Sequence, residues 1–277
     1  GMVDLQFDLF DERRHNIFMP RESIPITAGF IKQPWDNYGK MKNQGAEVTL
    51  NINKQFNKNL FVSLMGTLTY AHNEITEKDE PAAVVGTNRA ETGYPTGQNR
   101  GYIAERLFTN DDFADVAAGT LKEGIPAQTF TAKLRPGDIK YVDVNQDGKI
   151  DAFDVSPIGG PINPEIVYGF GLNMKWKDLD FGVLFQGIGR TWNVLSGNII
   201  PASNKGTTYN IFTNYQDRWT VDNPSQDVFY PRLDYGTNAN NSQSSTWWLR
   251  NMSFLRMKNI ELGYSFPKRW MQNMLIS

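Results

Sequence analysis

The sequence predicts an all-β protein: antiparallel up-and-down strands that form part of a large transmembrane β-barrel with long extracellular loops. Three observations carry this. Apolar and polar residues alternate with a period of two along several stretches, as in strands with two unlike faces. The composition is rich in aromatic residues and glycine, with 17 Phe, 11 Tyr, 7 Trp and 24 Gly in 277 residues. Tight turns alternate with long irregular connections, the asymmetry of outer-membrane barrels.

Composition narrows the function classes. A hydrophobic content of 40% argues against disorder, and a net charge of −2 gives no basic footprint for nucleic acid. With no cysteine, disulfides and thiol chemistry are excluded. No apolar run is long enough for a transmembrane helix, which leaves barrel strands untouched because their hydropathy signal is weak. No signal peptide opens the chain. Gly1-Met2 looks like a tag remnant, and the chain reads as a piece of something longer.

The elements follow in order. Val3, Leu5, Phe7 and Leu9 alternate with Asp4, Gln6 and Asp8 as a first strand. A polar connection without regular pattern is expected from about Asp11 to Met41. Ala46, Val48, Leu50 and Ile52 form one face of the next strand, and a turn at Asn57-Lys58-Asn59 leads into a strand from Leu60 to Tyr70, a tight hairpin. Residues 71–140 read as a long loop, with a short helix over Asp111–Ala118 capped by Asn110. Ile166, Tyr168, Phe170, Leu172, Met174 and Trp176 then line one face of a strand long enough to cross a bilayer at a tilt. Gly169, Gly171, Asn173 and Lys175 on its other face suit a polar lumen. After a turn at Lys177-Asp178, Leu179, Phe181, Val183 and Phe185 return. A second long loop fills 189–246, and Ile260, Leu262, Tyr264 and Phe266 mark the last strand.

Residues 143–154 read Asp-Val-Asn-Gln-Asp-Gly-Lys-Ile-Asp-Ala-Phe-Asp. Oxygen-bearing side chains stand at loop positions 1, 3 and 5 (Asp143, Asn145, Asp147), and Gly148 follows where the backbone turns sharply. Lys149 can offer its carbonyl, Asp151 stands at position 9, and Asp154 closes the loop. This is the spacing of a twelve-residue calcium loop, with Asp in place of the usual terminal Glu. Pro136 and Gly137 before it, and Pro157, Gly159 and Gly160 after it, leave no room for flanking helices. The expected role is therefore a Ca2+ clip at the base of a loop ahead of the Ile166 strand, not a sensor.

Trp192, Tyr209, Tyr215 and Trp219 in the second loop are candidates for gripping a sugar or peptide, since exposed rings stack while nearby amides hydrogen-bond. Packing of the loops against each other is the competing reading. Enzyme chemistry finds no footing. His15 and His72 lack partners at triad or metal spacing, and Asp111–Asp112 reads as a charge pair at a helix start.

Several segments together resemble the C-terminal part of the SusC/RagA family of TonB-dependent outer-membrane receptors of Bacteroidetes. They include Met41-Lys-Asn-Gln-Gly-Ala-Glu-Val48, Gly137-Asp-Ile-Lys-Tyr141 running into the Asp-rich loop, and Asn163-Pro-Glu-Ile-Val-Tyr-Gly-Phe-Gly171. Further on come Phe181-Gly-Val-Leu-Phe-Gln-Gly187, Arg218-Trp-Thr220, Tyr230-Pro-Arg-Leu233 and Leu255-Arg-Met-Lys-Asn-Ile-Glu-Leu-Gly-Tyr264. The resemblance implies a barrel of about 22 strands occluded by a plug, a SusD-like surface lipoprotein as partner, and TonB-energised import of oligosaccharides or peptides. Neither plug nor TonB-contacting segment is recognisable here, so the expectation is a partial barrel domain over 1–277 with two open strand edges prone to self-association. The alternative is a soluble calcium-stabilised β module that binds carbohydrate or protein. Its Ile166 face would pack in a dry core against a second sheet.

Overall fold

The computed structural model describes residues 2–131, 133–197, 212–234 and 238–266. Its strands are β1 (Val3–Pro20), β2 (Trp35–Asn57), β3 (Leu60–Glu77), β4 (Gln98–Gly101), β5 (Ala104–Leu107) and β6 (Phe113–Asp115). Then follow β7 (Thr120–Leu121), β8 (Ala127–Gln128), β9 (Ile139–Tyr141), β10 (Lys149–Ile150) and β11 (Ser156–Pro161). The chain continues through β12 (Ile166–Trp176), β13 (Leu179–Gly189), β14 (Trp192–Val194), β15 (Leu249–Asn251) and β16 (Phe254–Tyr264). Six of them make one antiparallel sheet in the order β1-β2-β3-β12-β13-β16.

Because side chains alternate along a strand, register decides what each face of the sheet presents. Here it aligns apolar residues across all six strands. One row runs Val3, Ile52, Leu64, Leu172, Val183, Ile260, and the next Leu5, Leu50, Gly66, Phe170, Phe185, Met257. Phe170 and Phe185 stack with ring centroids 5.1 Å apart, a cross-strand contact that fixes this register. The opposite face is polar, with the row Gln6, Thr49, Thr67, Gly169, Gln186, Arg256. A register shift between Leu184 and Phe185 lets β16 keep its apolar side on the same face despite one extra residue.

No second large sheet covers the apolar face among the described residues. Phe170 is 44% exposed, Ile260 58% and Leu262 77%. The dry core that the soluble-module alternative requires is therefore not formed by these strands. The outer edges of β1 and β16 carry no paired strand among the described residues.

Two tight turns lie side by side at one end of the sheet, after β2 and after β12, where the Lys177 amide donates to the Asn59 carbonyl at 2.7 Å. Lys177 takes φ = 54° to close its turn. The long connections leave from the other end. There, β1–β3 run well past the apolar band: β2 has 23 residues, against the roughly ten that cross a bilayer. This corrects the expected irregular connection over 11–41. Only residues 21–34 lie between the strands, and the rest is paired strand, Asp11 with Gln44 and Arg13 with Lys42, with register shifts on either side of Ile17. Over Asp11–Asn16 alternation vanishes because both faces are polar, and this end of the sheet is tied by ion pairs such as Lys42–Glu74 at 2.8 Å.

The buried core sits in the long connections, not in the sheet. Tyr102, Leu107, Ile139, Tyr141, Ile150, Tyr215, Trp219, Tyr230 and Trp248 form one cluster. Phe108, Phe113 and Leu134 form a second. Residues 71–77 continue β3, and the described residues of the other stretches read as loops, up to 140 and over 189–246, fold together with the calcium-type loop into one packed lobe. The helix expected over Asp111–Ala118 is absent. A single 3-10 turn at Asn110–Asp112 gives way to β6, and its cap is Thr109, not Asn110. The reason is Asp112, whose carboxylate reaches back to the Thr109 amide at 2.8 Å and binds Arg106 at 2.6 Å, closing the chain on itself.

Candidate functional site: the Asp-rich loop and its lobe

The Asp-rich loop is closed by its own backbone. Asp143 accepts from the amides of Gly148 (2.8 Å) and Asp147 (3.3 Å). Asn145 accepts from the Asp147 amide at 3.2 Å, and Asp147 from the Lys149 amide at 3.1 Å. Gln146 (φ = 60°) and Gly148 (φ = 85°) supply the left-handed geometry that makes this tight winding possible. Ile150 at position 8 is fully buried and pairs in parallel with Gln128, with carbonyls of Gly148 and Ile150 taken by Ala127 and Thr129. Along a strand successive carbonyls point opposite ways, so the Lys149 carbonyl at position 7 points away from β8.

Asp154 is fully buried and clasps the two ends of the loop, accepting from Val144 and Asp151 amides, each at 2.8 Å. The Lys149 ammonium stands 2.8 Å from Asp151 and 3.8 Å from Asp147. Its hydrogen bond holds the Asp151 carboxyl below the usual carboxylate range. The backbone winding and the all-oxygen donor set fit a hard cation. The side chains as placed do not converge: among the described residues, no three acidic or imidazole groups stand together as a metal cluster. The one positive charge inside the loop is Lys149.

The loop is pinned to the lobe on two sides, by the bridge to β8 and by Asn88, whose amide donates to the carbonyls of Phe153 (2.8 Å) and Val155 (2.9 Å). The lobe itself is organised around Asp138. Its buried carboxylate accepts from the Arg135 amide (2.9 Å), Asn238 Nδ2 (2.9 Å), Asn241 Nδ2 (3.0 Å) and Arg232 Nε (3.2 Å). Burial pushes the Asp138 pKa up, against the opposing pull of Arg232 and these donors. Asn241 and Asn240 bond the Ile139 amide and carbonyl, and Gln128 receives the Tyr141 amide, so β9, which pairs with β5 as a strand, is also held by side chains. Gly137, at φ = 86°, sits directly under the Trp219 ring, where any Cβ would overlap it.

Asp138, Arg232, Asn238, Asn240, Asn241 and Gln128 escaped the sequence reading. Asp138 and Arg232 lie 94 positions apart, and no spacing rule links them. Both stand in the quoted motifs Gly137-Asp-Ile-Lys-Tyr and Tyr230-Pro-Arg-Leu, which meet in space where the Arg232 amide donates to the Gly137 carbonyl at 2.8 Å.

The candidate cargo residues fall differently. Tyr215 and Trp219 belong to the buried cluster, and Trp219 also lines a cleft on the lobe. Trp192 is half-buried in β14 over Gly160, where a Cβ would come within 2.6 Å of its ring. Tyr209 lies outside the described residues. His72 pairs with the buried Glu165, which also binds Arg190 at 2.9 Å, an ion-paired junction between strand ends. Asp111 is exposed, whereas Asp112 is buried.

No family model matches the chain. Curated relatives do. The chain is 28% identical over 273 residues to TonB-dependent receptor P26 of Formosa agariphila, covering 96% of the chain and 26% of the relative. It is 24% identical over 277 residues to TonB-dependent receptor SusC of Bacteroides thetaiotaomicron, covering 98% and 24%. Its relatives are TonB-dependent receptors. The chain spans about a quarter of the length of these relatives. Among solved structures, the RagAB peptide transporter superposes with a TM-score of 0.66 at 23% identity, over 97% of this chain and 27% of that one. The fold is that of part of an outer-membrane β-barrel transporter.

Proposed function

We propose that the chain forms a section of barrel wall, with its extracellular lobe, in an outer-membrane TonB-dependent receptor of the SusC/RagA type that takes up oligosaccharides or peptides. The observation that carries this is the set of apolar rows running unbroken across six strands and facing no second sheet. In water such a face costs about 25 cal/mol per Å² of apolar surface left uncovered; in lipid it costs nothing, while the polar face suits a wet lumen. The lobe sits where the strands outrun the apolar band, as extracellular loops do. A SusD-like surface lipoprotein is the partner for the lobe side, and TonB supplies energy through parts of the receptor other than this wall. The relatives are receptors and transporters, and the reading assigns the chain no catalytic step.

Ca2+ is proposed for the Asp-rich loop, held by Asp143, Asn145, Asp147, the Lys149 carbonyl, Asp151 and Asp154, with the Lys149 ammonium moving off Asp151 to admit it. Its role there is to pin the lobe.

The transport reading is tested by uptake of labelled oligosaccharide and peptide pools into cells that express the receptor carrying this chain, with and without TonB. Uptake of one pool that disappears without TonB is expected. Uptake indifferent to TonB, or a receptor recovered outside the outer membrane, overturns it.

A further inference from the structure

A cleft of about 860 Å³ opens on the lobe between the turn at Arg135–Asp138 and the segment around Trp219. Its chemistry is lopsided. Lys133 and Arg135 are exposed at its rim and pair with no acidic group among the described residues, while Asp111 is the one carboxylate lining it. Arg232 adds a third cation at the back, already bound to Asp138 and Asp234. Between the charges the wall is aliphatic: Val116, Pro136, Val221 and Pro224, with Val221 83% exposed.

The cations are mounted on rigid backbone. Arg135 opens a turn with Pro136 and Gly137 at its centre, closed by the Asp138 amide on the Arg135 carbonyl at 3.1 Å. The same turn is stitched to Phe108 by two further backbone bonds of 2.8 Å. A cation whose stem starts from fixed backbone loses less freedom on binding an anion. The cleft also discriminates between ligand classes. Sugars are gripped by stacking on an exposed flat ring, yet Trp219, the one aromatic residue lining the cleft, is only 7% exposed. Branched and proline side chains instead match aliphatic residues of an extended peptide.

We propose that this cleft binds an acidic peptide segment in which carboxylates alternate with aliphatic side chains, Lys133 and Arg135 pairing with the carboxylates. This site is separate from the barrel wall, and the inference stands whether or not the transport reading does.

The test is calorimetric titration of the 277-residue chain, in detergent, with a capped peptide of alternating Glu and Val. Controls are its Gln/Val counterpart and polygalacturonate. Binding of the Glu/Val peptide is expected to weaken at least about tenfold for the Gln/Val peptide and for K133E/R135E, and to fall as salt rises from about 50 to about 500 mM. K133M/R135M, which adds no repulsion, should lie between. Equal affinity for the two peptides, tighter binding of polygalacturonate, or variants that bind like the parent while keeping its circular dichroism each overturn the proposal.

Discussion

Removing the Asp138 carboxylate should unfold the lobe while leaving the sheet intact. In Asp138→Ala the amides of Asn238 and Arg135, which donate to it at 2.9 Å each, lose their acceptor inside the lobe. Breaking a buried ion pair costs about 3–5 kcal/mol when the remaining charge stays buried. Arg232 keeps Asp234 at 2.8 Å, which places that cost at the lower end, and each orphaned donor adds about 1 kcal/mol. A total near 5 kcal/mol is a large share of a domain's stability of about 5–15 kcal/mol. It corresponds to a loss of several thousandfold in protection from exchange. Hydrogen exchange read by mass spectrometry reports the two regions separately. Peptides over 102–142 and 228–249 should lose protection, and those over 166–189 should not. A loss below about tenfold, or an equal loss in both regions, refutes the view of Asp138 as the hub of a separately packed lobe.

Three further outcomes follow from the same geometry. Asp112 is held at a pKa of about 2, burial being outweighed by Arg106 and Thr109. A depressed carboxylate contributes above its unfolded value of 3.8 and is lost as pH falls towards about 2, which is about 2 kcal/mol in lobe stability. The gap between parent and Asp112→Asn in lobe exchange should therefore close between pH 5 and 2; a gap unchanged by pH contradicts this. Calcium at about 1 mM should raise the melting temperature, reversibly with chelator, and Lys149→Met should bring the effect at lower calcium. No shift on chelation, with Asp143→Ala matching the parent, leaves an acidic turn closed by Lys149. Isolated in detergent, the chain should associate through the outer edges of β1 and β16, and a monodisperse monomer at high concentration would count against edge pairing.

The strands that cross the apolar band were legible in the sequence because period-two alternation needs unlike environments on the two faces, as along Ile166–Trp176. Where both faces meet water the signal vanishes. That is why Asp11–Asn16, within the connection expected from Asp11 to Met41, carries no strand signal. The lobe was illegible for another reason: its core is assembled from segments as far as 142 positions apart, and its key contacts, Asp138 with Arg232 and Gln128 with Asn240, are polar. The aromatic residues taken as grips for cargo were the right type for a site, but Tyr215 and Trp219 turn inward to build that core. Asp143–Asp154 stood out from spacing alone, and its backbone amides donate to Asp143, Asn145 and Asp147 in a tight winding. Its charge balance depends on Lys149, whose ammonium no ligand-position rule considers.

The claim that one face of the six-stranded sheet meets lipid can be tested strand by strand, since the chain has no native cysteine. Single cysteines at Tyr168, Phe170, Leu172 and Met174, and at Gly169, Gly171 and Asn173, would carry a fluorophore in a receptor reconstituted in bilayers. The account predicts quenching by a lipid-soluble quencher at the first set and by an aqueous one at the second, alternating residue by residue. Aqueous quenching at both sets, or protection of the first set from both quenchers, would contradict it.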